Sequence, residues 1–171
     1  LTSTGLLSIV DDMDMLPVDR SNVECWQLGT DRIAVLATCA QTRGDLFAVE
    51  ITMPPGGGPP VMHRHEPSEV YYVLAGEFTF YIGEPDGVVR RRAGVGEVVP
   101  LAGGTPHTIR NETSSDAVAF AVHTPGGVME RFTRAAAALA AGSEQPDLDQ
   151  VLALAHEHGI EMLGPVPAEC V

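Results

Sequence analysis

Apolar positions in the first two-thirds of this chain recur mainly at every second residue, in short runs broken by Gly, Pro, Asn and Asp. That rhythm belongs to half-buried strands, whose successive side chains point to opposite faces. A run from Leu46 to Met53 places Phe47, Val49 and Ile51 on one face, and a run from Arg32 to Thr38 precedes it across the turn-like Thr42-Arg-Gly-Asp45. Further strands are predicted at Glu69–Leu74, Glu77–Ile82, Val88–Arg92, Glu97–Val99, Thr108–Arg110 and Ala117–His123. Turn signals separate them at Ala75-Gly76, Gly83 to Gly87, Gly94 to Gly96 and Gly103 to Pro106. About eight short strands at this spacing favour an all-β, two-sheet barrel of the jelly-roll type over a parallel sheet covered by helices.

After Pro125-Gly-Gly127 the rhythm changes. Val128 to Ala141 is rich in Ala, and Asp147 to His158 carries Leu148, Val151, Leu152 and Ala155 at helical spacing before Gly159. Two short C-terminal helices on the outside of the barrel are expected. A chain of 171 residues most naturally makes one domain around one core. It divides into an arm at 1–30 that packs on the barrel or on a partner subunit, a barrel at 31–125, and a helical extension at 126–171. Between the first strands and the next run lies Pro54-Pro-Gly-Gly-Gly-Pro-Pro60, where glycine accepts positive φ and proline fixes φ, so the backbone can turn and approach its neighbours closely.

The chemistry starts three residues later. His63 and His65 are two apart and share a strand face; Glu69 follows across Pro67, and His107 comes from a later strand. Three imidazoles and a carboxylate suit one divalent metal ion: iron, nickel, cobalt, manganese, copper or zinc. Four protein ligands leave up to two positions of an octahedron for water, substrate or dioxygen, the mark of a catalytic rather than a closed structural site. Tyr71 and Val73 share the parity of Glu69 and face the cavity with it, while Tyr72 and Leu74 face away. Phe47, Tyr71, Val73 and Phe78 are the candidate lining of a substrate pocket.

These residues fall into two spaced motifs, Gly57-x5-His63-x-His65-x3-Glu69-x6-Gly76, and Gly94-x5-Pro100 followed by Gly104-x2-His107-x3-Asn111. The pair resembles the double motif of the cupin superfamily. The one departure is that Pro100-Leu-Ala-Gly103-Gly104 lengthens the turn before His107 by two residues. Within that superfamily the chain is similar to small proteins related to quercetin dioxygenases. The resemblance implies a cupin jelly-roll barrel, a metal held by His63, His65, Glu69 and His107, and a homodimer. It also implies a second duty for Glu69 as catalytic base, removing a hydroxyl proton from a flavonol-like, phenolic or enolisable small molecule that then reacts with dioxygen. Two other readings stand beside this metal-dependent dioxygenase. One is a non-redox isomerase, cyclase or lyase using the metal as a Lewis acid; the other is a metabolite-binding barrel without catalysis.

Composition narrows the partners. Ten basic against twenty-three acidic residues give a formal charge of −13, which repels nucleic acid and anionic lipid. The one basic cluster, Arg90-Arg91-Arg92, follows a Pro-Asp-Gly turn and reads as a solvated strand end. Cys25, Cys39 and Cys170 fit no metal-binding or redox spacing, so reduced thiols in a cytoplasmic protein are expected. Leu6 to Val10 has no preceding positive charge and is too short for a signal peptide or a spanning helix. His156 and His158 sit on different faces of a predicted helix, and His123 near a strand end reads as a capping or solvent-facing residue. None of these three is taken as a ligand. Trp26 reads as a core anchor, and Asn111 and Gly76 as turn and packing residues.

Overall fold

The computed structural model describes residues 17–142 and 147–170, and residues 1–16 of the expected arm lie outside the described residues. Eleven strands among the described residues form two antiparallel sheets. The first has β1 (Cys25–Leu28), β2 (Asp31–Ala37), β3 (Phe47–Met53), β10 (Ala117–Thr124), β5 (Ser68–Ala75) and β8 (Val98–Leu101), in that spatial order. The second runs β11 (Glu161–Gly164), β4 (Met62–Arg64), β9 (His107–Arg110), β6 (Glu77–Glu84) and β7 (Gly87–Gly94). A single turn of helix, α1 (Cys39–Thr42), is capped by Thr38 and Gln41; α2 (Gly127–Gly142) and α3 (Leu148–Glu157) follow the barrel. This is the jelly-roll architecture expected from the strand rhythm, with both predicted helices in place. Residues 25–28 join the first sheet as β1, and residues 161–164 join the second as β11.

Alternation does the sorting. Along β5, Glu69, Tyr71 and Val73 are buried while Val70, Tyr72 and Leu74 are each about two-fifths exposed. Along β10, Ala117, Ala119, Ala121 and His123 point inward, and the three alanines are fully buried. Their small size leaves room for the larger rings of Phe47, Phe78, Phe80 and Tyr71, all in the one core. Trp26 stacks on Phe47 at 6.3 Å between centroids, joining β1 to β3, and Arg134 from α2 lies 4.8 Å over the indole, so the helix is tied to the first sheet by a cationic contact. No helix among the described residues is long and apolar enough to cross a membrane.

Two glycine-dependent contacts tie the motifs together. A Cβ at Gly58, where φ is +113°, would lie 2.2 Å from the Ile109 carbonyl oxygen, and Thr108 and Arg110 donate to the carbonyls of Pro59 and Pro60 at 3.0 and 2.8 Å. The Gly-Pro run is therefore strapped to β9 as a built segment. Asn111 completes the strap: its amide donates to Met53 and Ser115 carbonyls at 2.8 and 2.7 Å, and its oxygen accepts from the Thr113 amide and hydroxyl. The lengthened turn is equally fixed, since Gly104 N–H donates to the His65 carbonyl at 2.7 Å and Gly103 N–H to Ser68 Oγ at 3.0 Å. A Cβ at Gly103 would meet the Glu66 carbonyl oxygen at 1.9 Å. The two extra residues thus clasp the chain between His65 and Glu69. We predict that Gly103→Ala lowers stability by about 1–3 kcal/mol, the usual cost of forcing an extra carbon into a packed site. Chemical denaturation of the metal-free variant measures it, and an unchanged midpoint would contradict the clasp.

Candidate metal centre

The ligand candidates come from three strands and the bend between two of them. His63 on β4 and His107 on β9 are direct cross-strand partners, which brings their rings to 4.5 Å between centroids. His65 follows just beyond β4, and the bend at Pro67 returns the chain so that Glu69 begins the inward face of β5. The nitrogens of His63, His65 and His107 lie mutually within 4.8 Å, a group able to hold a metal ion. The carboxylate of Glu69 reaches this group, with Oε1 3.0 Å from His65 Nε2 and Oε2 3.2 Å from His107 Nε2.

All three histidines are oriented by the backbone. Nδ1 of His63, His65 and His107 faces the carbonyl oxygens of Val61, Pro67 and Thr105 at 3.4, 3.0 and 2.9 Å. A carbonyl only accepts, so each Nδ1 carries the proton and each Nε2 presents a lone pair. This is the arrangement of metal-bound imidazoles, in which the outer nitrogen donates to a carbonyl or carboxylate. Nε2 of His65 and of His107 is buried and makes no aligned hydrogen bond, although Glu69 oxygens stand close by. Lone pairs facing a carboxylate at 3 Å repel unless a positive charge lies among them. The donor set fits a cation on this ground alone.

The electrostatic balance within the site points the same way. Burial pushes the Glu69 carboxyl up, but His123, His107 and His65 together hold it well below the usual carboxylate range. Burial lowers His107 while contact with Glu69 outweighs it, so His107 is left above its ordinary value. His63, whose burial and neighbour His107 both oppose a charge, is pushed down to about 4.

His123 belongs to this site, and its expected place as a capping or solvent-facing residue is corrected. It is the cross-strand partner of Glu69, is 5% exposed, and places Nε2 3.0 Å from Glu69 Oε1. The signal lay in the alternation of β10, where Ala117, Ala119 and Ala121 mark an inward face that His123 continues. His156 is exposed and His158 packs near the Phe132 ring at 6.1 Å, neither in the cluster. Among the proposed pocket residues, Tyr71 donates its hydroxyl to Glu69 Oε2 at 2.8 Å, and the Phe47 ring lies 5.8 Å from that of His123. Phe47, Val73 and Phe78 are fully buried in the core. The cluster meets solvent at His63, its one partly exposed member. Two surface hollows of about 230 and 280 Å³, one beside Cys39 and α2 and the other beside Asp19 and Leu36, include none of these residues.

The sequence between Val49 and His123 matches the family model described as the cupin domain. Residues 49–123 are a cupin domain. The solved structures that this chain resembles include a variant oxalate decarboxylase from Bacillus subtilis, at 20% identity and a TM-score of 0.57, over 67% of this chain and 30% of that one. Oxalate decarboxylase of Lactobacillus farciminis in complex with formate matches at 18% identity and a TM-score of 0.53, over 61% and 31%. The protein TT1209 from Thermus thermophilus matches at 23% and 0.51, over 63% of this chain and 95% of that one. The chain thus spans less than a third of the oxalate decarboxylases, and these likenesses concern the fold. No curated protein matches the sequence.

The shifted groups make a pH prediction for the metal-free protein. His63 is harder to protonate folded than unfolded, so its contribution is complete above pH 6.5 and is lost as pH falls toward 4. Asp31 runs the other way: burial raises it from 3.8 to about 6, so its contribution is complete below 3.8 and is lost as pH rises through 6. Each shift is worth at most roughly 3–3.5 kcal/mol at about 1.4 kcal/mol per pH unit. Between pH 6.5 and 4, His63→Gln should lose less stability on acidification than the parent protein and Asp31→Asn should lose more. Urea midpoints across that range test both signs, and parallel curves for all three proteins would contradict the assignment.

Proposed function

We propose that this cupin binds one divalent metal ion on His63, His65, His107 and Glu69 and is an enzyme acting on a small hydroxyl- or carboxylate-bearing molecule. The observation that carries the reading is the convergence of backbone-oriented Nε2 lone pairs on a carboxylate, in a site 1–3% exposed at His65, Glu69 and His107 side chains. A bound divalent ion would polarise a substrate oxygen and, if redox-active, could also engage dioxygen. The protein's part is orientation and exclusion. Val61, Pro67 and Thr105 carbonyls hold the imidazoles, the core rings keep water from the inner side, and His63 marks the side from which a substrate approaches.

Glu69 fits the duty of ligand better than that of base. A base near neutral pH needs a pKa near the working pH, whereas neighbouring imidazoles hold this carboxyl low. Its oxygens are also already taken up by the Tyr71 hydroxyl, which donates to Oε2, and by the close Nε2 atoms of three histidines. Glu69→Gln should therefore lose metal occupancy and turnover in parallel, as read by metal analysis and activity on the same preparation. Loss of turnover at full occupancy would restore the base.

For the reaction, dioxygenation of an enolisable, phenolic or flavonol-like substrate follows from the resemblance to quercetin dioxygenases. Full burial of Phe47, Val73 and Phe78 favours small substrates within that range and a second reading, non-redox lyase chemistry on a small acid. The fold shared with oxalate decarboxylases is consistent with this second reading. Protein purified without a nickel column should carry near-stoichiometric metal, and His63→Ala/His107→Ala should lose it. Oxygen uptake on adding small enols or phenols would select the dioxygenase; turnover without oxygen, notably with zinc, would select the lyase. Absence of metal after reconstitution would remove both.

A further inference from the structure

Four histidines converge on Glu69 or its neighbours, yet they are not equivalent. His63, His65 and His107 each have a backbone carbonyl at Nδ1, which reserves Nε2 as a lone pair. His123 has none: its Nδ1 is buried without a partner, while its Nε2 stands 3.0 Å from Glu69 Oε1. The side chain is 6% exposed, so water does not readily supply the missing partner. An unpaired buried donor costs a full desolvation penalty. The least costly neutral form puts the proton on Nε2, where the carboxylate accepts it, and leaves only a lone pair at Nδ1. Phe47, whose ring lies 5.8 Å away, backs the imidazole and restricts its tilt.

The other carboxylate oxygen has a matching donor. Tyr71 lies two residues along the same inward face and gives its hydroxyl to Glu69 Oε2 at 2.8 Å. Glu69 thus has one non-ligand donor beside each oxygen, one from its own strand and one from the strand paired with it. Resting on the metal reading above, we propose that His123 and Tyr71 are positioning residues: His123 Nε2–H and Tyr71 O–H clamp the two oxygens and turn the remaining lone pairs of Glu69 toward the ion. The clamp fixes the rotation of the carboxylate that a single donor would leave free. It also separates the histidines into three ligands and one donor, by the partner of Nδ1 rather than by distance to Glu69.

Nitrogen-15 NMR of the metal-free protein reads the tautomers without any metal or turnover. His123 should carry its proton on Nε2, and a proton on Nδ1 alone would overturn the proposal. Cobalt(II) affinity by chelator competition, with the visible spectrum of the bound ion, reads the ligand field. His123→Leu and Tyr71→Phe should each weaken affinity about 10- to 100-fold, the usual effect of removing an outer partner of a ligand, and should shift the cobalt bands. His123→Gln, which returns an N–H donor near the Nε2 position, should recover most of the affinity and the parental spectrum. Unchanged affinity and bands in His123→Leu would overturn the clamp, as would failure of His123→Gln to exceed His123→Leu. If His123→Leu does not fold, Tyr71→Phe against the parent protein decides by the same two readouts. A parent protein that binds no cobalt would remove the metal reading itself, while the tautomer of His123 still reports on the hydrogen bond.

Discussion

The structure turns on an electrostatic requirement at one point: Nε2 lone pairs of His65 and His107 stand 3.0 and 3.2 Å from a buried carboxylate. In a low-dielectric interior that arrangement is unfavourable until positive charge enters it. The rest of the fold maintains the requirement. Carbonyls of Val61, Pro67 and Thr105 set the proton positions, the cross-strand pairing of β4 with β9 brings His63 beside His107, and the pairing of β5 with β10 sets His123 against Glu69. A protein built only for stability has little reason to concentrate so much acceptor character in its core, since apolar packing of the same volume is often at least as stable.

The two sheets contribute differently. The second sheet supplies His63 and His107, while the first supplies Glu69, Tyr71 and His123. Their relative placement is set by the loops between them, chiefly the Gly-Pro strap on β9 and the clasp of Gly103 on Glu66. Displacement of either loop moves a ligand of one sheet relative to the carboxylate of the other. The lengthened turn before His107 therefore reads as part of the scaffold of the site, because its backbone amides are spent on His65 and Ser68.

Much of this was legible in the chain. Period-two alternation located eight strands, and the spacing of His63, His65, Glu69 and His107 named residues that the fold brings together. What escaped had a physical cause in each case. Strands β1 and β11 are four residues long and lie at the two ends of the alternating region, and β11 is separated by about a hundred residues from the strand it pairs with. His123 continues the inward alternation of β10, but its place beside Glu69 comes from a partner fifty-four positions away in sequence. The proton assignments also depend on carbonyls placed by turns. Phe47, Val73 and Phe78 were legible as inward-facing from parity alone.

The most direct test of the central claim is an anomalous-scattering crystal structure of the cobalt-loaded protein. The account predicts one ion at about 2.0–2.2 Å from Nε2 of His63, His65 and His107 and from one Glu69 oxygen, with His123 outside the coordination sphere. An ion bound through any Nδ1, an ion on His123 in place of Glu69, or cobalt only at the surface would contradict it.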